Sequence, residues 1–114
     1  MEKEKIEFTE FLEIEKKLEI RIGLITSVER VEKSKKLLKL VVQFHPDNGD
    51  TRTVVTNLGG QLEPSVLLGR QLPFITNLKP ATMMGIVSEA MIVVGESLVG
   101  EIELGNYSIG TKLL

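Results

Sequence analysis

The densest chemistry in the chain is a run of cations. Arg30, Lys33, Lys35, Lys36 and Lys39 oppose only Glu32, a local charge of +4 over ten residues. Cations at this density suit the phosphates of a nucleic acid, which attract Lys and Arg whatever the base sequence. A solvated, charged loop has the same composition. A second group comprises His45, Asp47 and Asp50, the sole histidine and the only two aspartates. Imidazole and carboxylates ligate metals, but these flank one Pro-Asn-Gly turn and are spaced as a solvated turn is. The chain has no cysteine, hence no thiolate nucleophile and no disulfide. It has no glycine-rich phosphate loop, and Gly59-Gly60 reads as a turn. Nothing marks two glutamates as an acid–base pair. Neither catalysis, a metal nor a cofactor is expected. A third constellation runs from Asn77 to Met91. It gathers an amide, a cation (Lys79), a hydroxyl (Ser88) and three thioethers (Met83, Met84, Met91).

Strands must position these groups. Leu18, Ile20, Ile22 and Leu24 alternate with Glu19, Arg21 and Gly23, which predicts a half-buried strand running on to Val28. Gly23 inside it suggests a bulge or bend. Glu29–Lys36 contains Val31 as its single apolar residue and reads as a loop. Leu37–Phe44 is the second strand, and the turn at His45–Asp50 returns the chain as Arg52–Asn57. Pro64 ahead of Val66–Leu68 and Gly69 predicts a short helical turn. Gln71–Asn77 is the fourth strand, open on one side near Pro73. Lys79–Gly85 reads as a loop and Ser88–Val94 as the fifth strand, with a short sixth at Glu101–Leu104. Ahead of them all, Phe8, Phe11 and Leu12 lie at helical spacing, and Thr9 is placed to cap a helix over Glu10–Lys17. Five short strands with one helical turn between the third and fourth predict an all-β, closed or nearly closed small barrel.

The totals fit one domain. The chain has 114 residues, is 42% hydrophobic and 26% charged, and carries a net charge of −2. That composition excludes disorder, and no apolar run approaches the roughly 18 residues of a membrane span. The first 19 residues hold a net −3, which leaves +1 on the other 95. The start, MEKEKIEF, lacks the apolar stretch of a secretory signal. With cysteine absent, a cytoplasmic location is expected and no membrane association.

Three stretches together resemble the tRNA-binding OB domain. This domain forms the C-terminus of bacterial methionyl-tRNA synthetases or their separate β-subunit, stands alone as a tRNA-binding protein, and occurs in a secretion-chaperone-like relative. The stretches are Leu18–Gly23 (LEIRIG), Val28–Leu40 with its Lys36-Leu37 pair, and Asn77–Met91, where Asn77-Leu78-Lys79-Pro80, Met83, Gly85, Ser88-Glu89 and Met91 match. The resemblance runs from about Phe11 to Leu114. Met84 stands where many members carry Arg, Ala90 where Gly is common, Thr56-Asn57 where Ser-Gly is usual. Val31 and Glu32 replace a common His-Pro, and Lys35 stands where Asp is frequent. The resemblance implies a five-stranded OB barrel over residues 18–114 with a helical extension over 1–17. It also implies a non-catalytic tRNA-binding module, either free-standing or the β-subunit of a methionyl-tRNA synthetase, which would be a further partner. The alternative is a chaperone-like module that holds peptides or proteins.

The RNA-binding candidates are Lys33, Lys35, Lys36, Lys39, Asn77, Lys79, Ser88 and Met91. The lysines offer phosphate contacts or are simply solvated. The Asn77 amide suits a base edge or, equally, nearby backbone. Ser88 and Met91 point to opposite faces of a strand, and by pattern alone Met91 is core. Arg21 offers a phosphate contact or a cross-strand ion pair. Phe44 and Phe74 read as core, so few aromatics remain to stack bases, which favours recognition of RNA shape and backbone. The apolar helix face (Phe8, Phe11, Leu12) and the end at Leu113-Leu114 exceed what one barrel can bury. They predict a two-fold homodimer, as free-standing relatives are dimeric.

Overall fold

The computed structural model describes residues 2–47, 49–60, 62–93 and 108–113. Helix α1 spans Phe8–Glu15 and strand β1 Ile20–Arg30. They are followed by β2 (Leu38–Gln43), β3 (Thr51–Thr56), a 3-10 turn (Leu58–Gly60) and helix α2 (Pro64–Leu67). The chain then forms β4 (Gln71–Ile75), β5 (Ala81–Met83), β6 (Ile86–Ser88), β7 (Met91–Ile92) and β8 (Lys112–Leu113). The main sheet is antiparallel in the order β3-β2-β1-β4-β7, with β8 beside β1, and β5 and β6 pair as a separate hairpin.

Strand β1 is shared between two halves of a curled sheet. Its start, Ile20–Leu24, pairs with β4, and its end, Leu24–Arg30, pairs with β2. Within the β2 pairing, just past the β4 pairing, a bulge at Ile25/Ser27 turns the strand. The bend predicted at Gly23 therefore falls slightly later. Gly23 itself is in regular register opposite Leu72. It is glycine for want of room: an added Cβ would lie 2.4 Å from Val42 Cγ1 and 2.6 Å from Phe44 Cε1.

The curl brings the far edges together. The Glu89 N–H donates to the Thr53 carbonyl at 2.8 Å, and the Val55 N–H donates to Ser88 Oγ at 2.9 Å. Inside lie Ile25, Leu38, Leu40, Val42, Phe44, Val54, Leu67, Leu72 and Phe74, all but inaccessible to water. Phe44 and Phe74 meet edge-to-face at 5.4 Å, a geometry worth about 0.5–1.5 kcal/mol beyond area burial. Helix α2 closes the bottom with buried Leu67. The five-stranded barrel with one helical turn between β3 and β4 is thus as expected. Pro73 sits opposite Ile22, whose own N–H and C=O bond to Thr111 and Gly110, so the missing proline donor breaks no rung there.

Four local expectations change. Helix α1 begins at Phe8 with Glu7 as N-cap and no side-chain cap, so Thr9 lies inside the helix. Lys79–Gly85 is not all loop: Ala81–Met83 pairs with Ile86–Ser88 around a two-residue turn. The fifth strand is correspondingly split, with Ser88 ending β6 and Met91 opening β7. Met91 is 56% exposed and is not core. The strand expected at Glu101–Leu104 lies outside the described residues. Among the described residues no helix is long and apolar enough to cross a membrane.

Candidate functional site

The charged stretch after β1 is a built loop. Val31 is buried and anchors it, and the Val31 N–H donates to the Leu37 carbonyl at 3.1 Å across its neck. Ser34 Oγ accepts from the backbone N–H of Lys36 and Leu37, at 3.3 and 3.1 Å. These bonds satisfy the turn internally and leave Lys33, Lys35 and Lys36 pointing to solvent. Lys33 adopts φ 67°, a left-handed conformation costing a side-chain-bearing residue roughly 1–2 kcal/mol. Arg30 is partly committed, donating to the Gly59 carbonyl at 2.9 Å and lying 3.4 Å from Glu63.

The β5–β6 hairpin stands opposite this loop. Its turn is Met84-Gly85, with φ 49° and 81°. Positive φ at both central residues is the type I′ arrangement that matches strand twist. A cleft of about 600 Å³ separates loop and hairpin. Lys33, Lys39 and Arg30 line one side, Met84 and Ile86 the other, and Glu29 and Glu32 also border it. Cations facing an apolar wall can hold phosphate on one side and a flat, weakly polar group on the other.

The remaining candidates are placed elsewhere. Lys79 is exposed on the approach to the hairpin, and Met91 is exposed on β7. Asn77 binds backbone, though not that of its own turn. Its Oδ1 accepts from the Glu19 N–H at 2.8 Å and its Nδ2 donates to the Lys17 carbonyl, fastening the N-terminal segment to the end of β4. Ser88 is buried, and its hydroxyl accepts from Val55 and donates to the Ala90 carbonyl at 3.1 Å. Of the eight candidates, therefore, Lys33 and Lys39 share the cleft, while Asn77 and Ser88 spend their polar atoms on the fold. Ile86 and Glu29 were not anticipated. Gly85 ahead of Ile86-Val87 was the available signal for the hairpin.

Arg21 and Arg52 are tied down. Asp50 accepts from Arg21 Nη2 at 2.9 Å and from Arg52 Nε at 2.9 Å, and both guanidinium carbons lie over the Phe44 ring, at 5.2 and 5.3 Å. Hydrogen bonds first from Arg52 and then from Arg21 hold the Asp50 carboxyl below its ordinary value, against the opposing effect of burial. Thr76 donates to Glu19 Oε1 at 2.6 Å, and that bond lowers the Glu19 pKa. Arg21 is thus the cross-strand ion pair of the two readings. At the turn, His45 Nδ1 bonds Asp47, whose carboxyl is lowered chiefly by the Gly49 N–H. Among the described residues no three His, Asp or Glu converge as a metal site.

Comparison with known proteins decides the family. The sequence model of the family described as "Putative tRNA binding domain" matches residues 20–109. The chain belongs to the tRNA-binding domain family. A methionine–tRNA ligase of Deinococcus radiodurans is 40% identical over 97 residues, covering 85% of this chain and 13% of that protein. Across the ligases it matches, the chain spans about 11–14% of their length. The crystal structure of a MetRS related protein from Pyrococcus horikoshii superposes with TM-score 0.77 at 28% identity, covering 98% of this chain and all of that one. Chaperone CsaA from Bacillus anthracis shares the fold, with TM-score 0.73 at 22% identity over 97% of this chain and all of that one. The tRNA-binding domain match begins at Ile20, the first residue of β1, and takes in the cleft and the whole hairpin.

Proposed function

We propose that this chain is a non-catalytic tRNA-binding module whose RNA surface joins the Arg30–Lys39 loop to the Asn77–Met91 segment. The observation that carries it is the cleft where Lys33 and Lys39 face Met84 and Ile86, within a member of the tRNA-binding domain family. Lys35, Lys36 and Lys79 extend the cationic surface on either side. Met91 contributes an exposed thioether, whereas Asn77 and Ser88 contribute by holding the segment in place. Residues 18–114 are the binding unit and 1–17 an extension that carries helix α1. The module works in the cytoplasm, free-standing or beside a methionyl-tRNA synthetase, and makes no membrane contact. Purified protein should shift bulk tRNA at low salt and release it near physiological salt, because counterion release drives phosphate binding. No shift at low salt would refute it.

Helix α1 buries none of its residues, and Ile6, Phe8, Phe11 and Ile14 are exposed. We propose a two-fold homodimer through this helix, with Leu113, half-buried beside Ile20, at its margin. Leu114 lies outside the described residues. Light scattering should give twice the chain mass, and a concentration-independent monomer refutes it. One observation favours the chaperone-like alternative: Met83, Met84 and Met91 are all exposed, and flexible thioether surfaces adapt to varied partners. Peptide binding that survives loss of tRNA binding would support that alternative.

A further inference from the structure

We propose that Met84 is a reversible oxidation site through which hydrogen peroxide weakens RNA binding at the loop–hairpin cleft. This rests on the RNA-binding reading above and adds a means of regulating that same surface.

The placement of sulfur leads there. The chain has no cysteine, so its four methionines hold all of its sulfur. Methionine commonly fills gaps in apolar cores, where packing shields the thioether. Among the described residues the buried apolar set consists of Ile, Val, Leu, Phe and Ala alone. The described methionines instead face solvent: Met83 is 39% exposed, Met84 57% and Met91 56%. Met84 stands apart from the other two. It takes the first central position of the β5–β6 turn at φ 49°, a left-handed conformation that favours Gly or Asn. Burial does not offset that strain. It alone of the three lines the cleft, across from Lys33 and Lys39.

The chemistry is a single oxygen transfer. The sulfur lone pair takes one oxygen of hydrogen peroxide, so that an S–O bond forms as the O–O bond breaks. The proton on the transferred oxygen passes through solvent to the departing hydroxide, which leaves as water. Sulfur loses an electron pair and the peroxide gains it. The thioether, a weak acceptor, becomes a polar sulfoxide whose oxygen accepts hydrogen bonds. Glu29 and Glu32 also border the cleft, but carboxylates donate nothing to it. Arg30 is already committed in part to Gly59 and Glu63. The ammonium groups of Lys33 and Lys39, on long flexible stems, are the remaining donors. A sulfoxide bonded to either one ties the hairpin tip to the loop and withdraws a cation from phosphate.

The test treats the full chain with hydrogen peroxide and maps oxygen addition by peptide mass spectrometry. Fluorescence anisotropy then reads tRNA binding across a salt series, each protein compared with its own untreated sample. Oxidised wild type should bind on the order of tenfold more weakly, one charge-assisted hydrogen bond diverted from phosphate. Its salt slope should flatten by about one. The thermal midpoint should stay level, because Met84 supports no core. Methionine sulfoxide reductases for both epimers should restore mass and affinity together. Met84→Leu should hold its untreated affinity through the same treatment, while Met83→Leu/Met91→Leu should lose affinity as wild type does. Unchanged tRNA binding with Met84 fully oxidised overturns the proposal. So does a Met84 that stays unoxidised while Met91 reacts, or an equal loss in Met84→Leu. A lowered midpoint, a sulfoxide that the reductases leave in place, or a loss that outlasts its reduction overturns it also. Each of these leaves the RNA-binding reading intact. An untreated protein that binds no tRNA overturns both.

Discussion

Asn77→Ala tests whether the most recognisable residue of the chain serves the fold or the ligand. Its amide makes two long-range bonds, accepting from Glu19 N–H at 2.8 Å and donating to the Lys17 carbonyl. A net protein hydrogen bond contributes about 0.5–1.5 kcal/mol. Asn77 is exposed, so water replaces part of each bond and the lower half of that range applies. The expected loss is about 1–2 kcal/mol, measured by urea denaturation as a lower midpoint at unchanged slope. At roughly 4 °C per kcal/mol for a domain of this size, the thermal midpoint falls by about 4–8 °C. Deleting residues 1–17 removes the Lys17 acceptor. In that background Asn77→Ala should cost only about half as much, giving a coupling of about 0.5–1 kcal/mol. Affinity for tRNA in buffer where both proteins are folded should change little. Unchanged stability with a large loss of tRNA affinity would refute the reasoning and return the amide to a base edge.

Gly23→Ala should destabilise by about 1–3 kcal/mol in chemical denaturation, since its Cβ would overlap Val42 and Phe44 in a filled core. Asp50→Asn should remove part of the acid limb of the stability–pH profile. The depressed Asp50 carboxyl stabilises the fold above its ordinary value of 3.8 and loses that contribution as pH falls through the lower folded value. A wild-type acid limb in the variant would contradict the twin-arginine arrangement. Lys36→Glu and Lys79→Glu should each weaken tRNA binding uniformly across sequences and flatten the salt slope.

The barrel was legible because its strands alternate cleanly and punctuation residues fall between them. Leu38, Leu40 and Val42 are inward by period two, and the Asn48-Gly49 dipeptide marks the β2–β3 turn. The hairpin was not, because Ala81-Thr82-Met83 is too short and too weak in β propensity to read as a strand. Its pairing depends on Gly85 and on Ile86–Ser88 across the turn. Basic composition pointed to the loop side of the cleft, but nothing in a lysine's identity announces that Lys33 adopts a left-handed backbone. The destination of Asn77 was equally hidden, since its partners lie 58 and 60 residues away. Met91 reads as core from alternation, yet Ser88, three residues earlier, takes the inward place and leaves Met91 facing water.

The seam of the barrel has a consequence for how binding can be watched. The Val55 amide is satisfied by the hydroxyl of Ser88, not by another backbone. Ser88 is also the last residue of the strand that carries the hairpin. Solvent exchange of that single amide therefore reports whether the hairpin is seated or lifted. Any ligand that pins the hairpin should slow it, while amides deep in the Leu38–Gln43 ladder exchange only through wider opening. One proton at the closing edge thus serves as a native gauge of occupancy, readable without a label or a substitution.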